Sequence, residues 1–122
     1  MKIRILDDSI RLRLDRDEVD RIGAGGAVEG RTRFPGGAAF VYRLGVGTGE
    51  LTAAFAEGEL GIALPRDVAR HWATEETEVS IRGELPLEDG TLGILVEKDF
   101  ECLDPREGES QANRFRNPKA PA

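Results

Sequence analysis

Apolar and polar residues alternate along most of this chain, the period of two that sends successive side chains to opposite faces of a β-strand. Residues 2–6 and 9–14 read as two short strands joined at Asp7-Asp8. Ile3, Ile5, Ile10, Leu12 and Leu14 are expected on the core face, and Lys2, Arg4, Arg11 and Arg13 on the other. Asp15 then predicts a helix N-cap, with Glu18 as its capping-box partner. Val19 and Ile22 share the inner face of that helix, and Gly23, Gly25 and Gly26 end it. Strands over 27–34 and 38–44 follow, separated by the Pro35-Gly36-Gly37 turn.

The same order of elements is predicted again. After a glycine-rich stretch at 45–49, alternation runs through Leu51, Ala53 and Phe55, then Leu60, Ile62 and Leu64. Pro65 suits the first position of a helix, whose inner face Val68 and Trp72 would form. Strands around Val79 and Ile81, and around Leu92, Ile94 and Val96, flank a turn at Glu88-Asp89-Gly90. SIRLRLDRD (9–17) and ELGIALPRD (59–67) align at an offset of fifty positions. The expectation is an internal repeat, 2–44 and 51–96, of two strand-strand-helix-strand-strand units. The fold class expected is α+β, mostly β, with about eight strands and two short helices, barrel-like or as two facing sheets. Residues 1–103 would make one domain. Residues 104–122, with three prolines and one aromatic, read as a flexible tail in which Phe115 could dock on the body.

Composition narrows the setting. The 122 residues suffice for a core without disulfides, and one cysteine, Cys102, allows no intrachain bridge. No apolar run is long enough to span a membrane, and the charged start lacks a secretory signal, so a cytoplasmic location and no membrane partner are expected. Net charge is −6, and the tail from Leu103 holds four basic and three acidic residues, which leaves 13 basic and 20 acidic in the body. So acidic a body argues against nucleic acid as a partner.

Candidate chemistry is sparse. Lys2, Arg4, Arg11, Arg13, Arg31, Arg33 and Arg43 fall off the core face of the first unit, where the second unit has mostly neutral residues. Such arginines could take up phosphate or carboxylate through forked, bidentate bonds, or could be a solvated face with cross-strand partners such as Glu29. Arg4, Arg11, Arg13, Arg31 and Arg33 are the ligand-binding candidates. Ala54, Gly61 and Ala63 form a small-residue face that the second helix or another subunit could cover. Glu97, Asp99 and Glu101 would line one face of a strand, the arrangement an acid–base site near Asp99 would use. His71, four residues after Asp67, is placed to pair with it. His71 and Cys102 are too few for a zinc site. No metal or other cofactor is expected, and no catalytic residue is assigned.

Two resemblances add to this. MKIRI, SIRLRL, the EV of the first helix and LVEKDFECL together resemble a group of small bacterial proteins without assigned function. That resemblance covers most of the chain except its tail and implies no activity. ELGIALPRDVARHW followed by VSIRGE is similar to the strand, Pro-led helix and strand of swapped-hairpin transcription regulators. It implies a barrel-like fold; the DNA binding of those basic dimers fits poorly with an acidic single chain. The reading that results is a non-catalytic binding or interaction domain, with a homo-oligomer or protein partner. The alternatives are a binder of a phosphorylated ligand or nucleic acid through the arginine face, and an enzyme using carboxylates near Asp99.

Overall fold

The computed structural model describes residues 1–99. Eight strands and two helices follow in the order β1 (Lys2–Leu6), β2 (Ser9–Leu14), α1 (Arg16–Gly23), β3 (Val28–Arg33), β4 (Ala39–Gly47), β5 (Thr52–Ala56), β6 (Glu59–Pro65), α2 (Arg66–Thr74), β7 (Ser80–Leu87) and β8 (Gly90–Lys98). They build two four-stranded sheets, β1-β2-β8-β7 and β3-β4-β6-β5, so of the two architectures expected it is the pair of sheets that forms. Hairpins are antiparallel, and the central pairs β2/β8 and β4/β6 are parallel. Each helix carries the chain from one sheet to the other, so neither half of the sequence makes a sheet alone.

Exchanging the two halves maps one sheet order onto the other, since β1-β2-β8-β7 becomes β5-β6-β4-β3. Strand register follows the same exchange. Lys2 opposes Arg13, and fifty positions on Thr52 opposes Ala63. Val28 opposes Leu44, and Ile81 opposes Val96.

Alternation explains the core. Leu12 and Leu14 of β2, Leu44 of β4, Leu64 of β6 and Val96 of β8 are fully buried, together with Ile22 and Trp72 from the helices. Asp15 caps α1 in a complete capping box with Glu18, as its sequence predicts. Trp72 is 1% exposed and donates its indole N–H to the Val79 carbonyl at 3.0 Å. The helices pack closely: a Cβ on Gly23 would stand 2.6 Å from that of Ala73, a contact only glycine permits.

Several local expectations need correction. Val68 is 43% exposed, and the inward residues of α2 are Ala69 and Trp72, spaced like Val19 and Ile22 of α1. The helix starts one residue later than predicted, because Pro65 ends β6 as an extended N-cap (φ −62°, ψ 138°). Ile5 shares the face of Ile3 but is 55% exposed, since β1 is an edge strand with no neighbour to cover its far end. Phe55, which pairs with Leu60 as Ile5 pairs with Ile10, is 64% exposed on edge strand β5 for the same reason. β4 also runs on through Gly45, Val46 and Gly47, which the sequence assigns to a connection, because those residues pair with Ala63, Leu64 and Pro65 of β6.

Candidate anion-binding face

The parallel β2/β8 pairing creates the most distinctive surface of the molecule. It lays β8 beside β2 so that Arg11 opposes Leu95 and Arg13 opposes Glu97. β1 sets Arg4 opposite Arg11 and Lys2 opposite Arg13, and β7 sets Arg82 opposite Leu95 and Ser80 opposite Glu97. The outer face of this sheet therefore carries two neighbouring rows across all four strands: Arg4–Arg11–Leu95–Arg82 and Lys2–Arg13–Glu97–Ser80. Gly93, Ser9, Leu6 and Glu84 make the row beyond the first.

Two carboxylates neutralise the second row. Glu97, with a side chain only 16% exposed, accepts a forked pair of bonds from Arg11, Nε to Oε2 at 3.1 Å and Nη2 to Oε1 at 3.2 Å. Arg13 approaches the same carboxylate at 3.7 Å and Asp99 at 4.0 Å. Asp99 also meets Lys2 at 2.9 Å. Asp99 thus relieves the Lys2/Arg13 pair, like charges set directly opposite on neighbouring strands.

The first row is less well compensated. Arg4 and Arg11 oppose each other directly, an arrangement that costs roughly 0.2–1 kcal/mol where nothing relieves it. Arg11 has Glu97, but among the described residues no carboxylate lies within 4.0 Å of Arg4 or of Arg82. Two open grooves border these side chains. One, of about 360 Å³, runs over Arg4, Arg11, Leu95 and Arg82; the other, of about 340 Å³, lies between β1 and β2 over Lys2, Arg4, Arg11 and Arg13.

Of the sequence candidates, Arg4, Arg11 and Arg13 come together on this face. Arg31 and Arg33 lie on β3, in the other sheet, with Arg43 on the neighbouring β4. The positions equivalent to the first row there are Ala54, Gly61, Arg43 and Glu29, and Arg43 and Glu29 pair at 3.0 Å. Among the described residues a Cβ on Gly61 would meet nothing within 4 Å, and Ala54 is exposed, so α2 does not cover this part of the small-residue face. Glu97 and Asp99 stand inside the cationic cluster as counter-ions, whereas Glu101, Cys102 and Phe115 lie outside the described residues. His71 approaches Glu78, at 3.8 Å, instead of Asp67.

Sequence reasoning overlooked Arg82 as a member of this cluster. Its signal was present, since Arg82 is the one cation at an outer position of the second unit's last hairpin. Only the strand order shows that this hairpin joins β1 and β2.

Elsewhere, a hollow of about 390 Å³ lies between α1, the end of α2 and the end of β8, and mixes charges of both signs: Arg16, Asp20, Glu76, Lys98 and Asp99. Among the described residues no three His, Cys, Asp or Glu side chains gather as a metal site would require. No described helix is long and apolar enough to cross a membrane.

No curated protein matches this chain, and no solved structure matches it. A family of unknown function, DUF7009, matches residues 1–119, nearly the whole sequence, and the chain belongs to that family.

Proposed function

We propose that this protein is a non-catalytic binding domain that takes up an anionic group on the outer face of the β1-β2-β8-β7 sheet, at Arg4 and Arg11 with Arg13 beside them. The observation that carries this reading is the direct cross-strand opposition of Arg4 and Arg11, with no carboxylate within 4.0 Å of Arg4 among the described residues. The Arg4 guanidinium, together with the Arg11 N–H groups that Glu97 does not engage, offers donors that a phosphate or carboxylate matches in charge, and Arg11 turning from Glu97 would add its fork. Binding at this place would replace a repulsion by two attractions. The carboxylates favour a holding role over acid–base chemistry, because both Glu97 and Asp99 are engaged by cations. We also read the two halves as copies of one ancestral unit, supported by the common register offsets, in which the first copy's outer face acquired the cations.

Calorimetric titration of the full chain with inorganic phosphate at about 50 mM salt tests the reading, since the Debye length there still exceeds about 10 Å. Saturable binding that fades with added salt and is lost in Arg4→Gln is expected. No heat of binding at that ionic strength would overturn it.

A further inference from the structure

The first row offers more than one anion site, and its layout specifies the shape of the ligand. Its four residues come from four different strands in spatial order: Arg4 from β1, Arg11 from β2, Leu95 from β8 and Arg82 from β7. Two of the cations are neighbours at one end. The third stands alone at the other end, two strand spacings from Arg11, or about 10 Å. Between them lies Leu95, half-buried and apolar. One groove joins all four; Ser9 and Gly93 line it between the two ends, and Glu84 lines it beside Arg82.

The surroundings limit the ligand's extent. Glu84 lies along the strand direction on one side of the row and Glu97 on the other. A phosphate backbone running along the strands would therefore meet a carboxylate next. The body's excess of acidic over basic residues repels a long polyanion further. A groove of about 360 Å³ is near the lower end of the volumes that small ligands occupy.

We infer that the ligand is a small molecule with two anionic groups joined by an apolar segment, laid across the strands with one group at Arg4 and Arg11, the other at Arg82, and its middle over Leu95. This rests on the anion-binding reading above and adds the second anchor. Each chain offers one such site despite its two-fold topology. The equivalent row of the other sheet has neutral Ala54 and Gly61 in place of Arg4 and Arg11, and it closes its own Arg43 with Glu29. Joining two anions converts the second contact into an intramolecular one, provided that the linker spans the distance.

Titration calorimetry of the full chain at low ionic strength tests this. The probes are inorganic phosphate, linear α,ω-bisphosphonates of increasing chain length, their single-ended analogues, and a single-stranded oligonucleotide. One site per chain is expected, with affinity peaking at an intermediate length about 10²-fold above the single-ended analogue. Arg82→Gln, an exposed position whose folding is checked by its thermal midpoint, should bring the best bisphosphonate down to the single-ended level, and Arg82→Lys should restore part of the gain. Phosphate binding with no gain from a second group overturns this inference and leaves the anion site standing. An affinity that climbs with length through to the oligonucleotide overturns it in favour of a polymeric ligand. Binding of no probe at all removes the anion site itself, and this inference with it.

Discussion

Glu97 offers a perturbation that separates folding from binding, because the two should move in opposite directions. Glu97→Gln keeps the side chain's shape and removes its charge. It disrupts the forked contact to Arg11 at 3.1 and 3.2 Å and the longer approach from Arg13 at 3.7 Å. Hydrogen bonds to charged groups contribute about 1.5–3 kcal/mol, and well-exposed ion pairs about 0.2–1 kcal/mol. Glu97 is 16% exposed and its arginine partners 32% and 40%, so the pair falls between these limits. The expected loss is about 1–2 kcal/mol, or roughly 3–10 °C in the thermal midpoint of a domain this size. The gap between mutant and parent should narrow near 1 M salt, where the Debye length is about 3 Å. Phosphate affinity should rise, because Arg11 no longer has to leave a carboxylate. The assay is thermal unfolding at low and high salt, beside the phosphate titration. A double-mutant cycle with Arg11→Gln should return a coupling of about 1 kcal/mol. A thermal midpoint unchanged at low salt, together with unchanged phosphate affinity, would refute the view that Glu97 holds the cluster together.

Two further outcomes follow from the fold and the sequence. Trp72→Ala should cost about 3–5 kcal/mol by denaturant unfolding, as expected for a large aromatic that is fully buried, whereas Val68→Ser on the exposed side of the same helix should stay within about 0.5 kcal/mol. Removing residues 104–122, which lack apolar periodicity, should leave the thermal midpoint within a few degrees; a large drop would make them part of the domain.

Most elements were legible in the sequence because each hairpin keeps a clean period of two. The capping box at Asp15 and Glu18 is likewise a local signal, and it forms. What alternation does not encode is which hairpin lies beside which. Arg11 and Glu97 are 86 positions apart, and only the parallel pairing of β2 with β8 makes them neighbours. The same pairing brings Arg82 into the arginine row and leaves Arg31 and Arg33 on the opposite sheet. Two outer faces that look alike in the sequence are thus separated by topology. The misplacement of Val68 has a different origin. Val68-Ala69 offers two phases for a short helix, and the larger residue is the natural first choice for the core. Gly23 of α1 packs against Ala73, which lies four residues after Ala69 on the same face of α2, and this close approach favours the phase that turns Ala69 inward. Ile5 and Phe55 are exposed because an edge position halves the neighbours available to a residue on the core face.

The claim that the outer face of the β1-β2-β8-β7 sheet binds anions is tested most directly by following the arginine side-chain Nε–H resonances during a phosphate titration. Saturable shifts at Arg4 and Arg11, with Arg31, Arg33 and Arg43 of the other sheet unmoved, are the predicted result. Uniform small shifts at every arginine, or shifts confined to Arg31, Arg33 and Arg43, would contradict it.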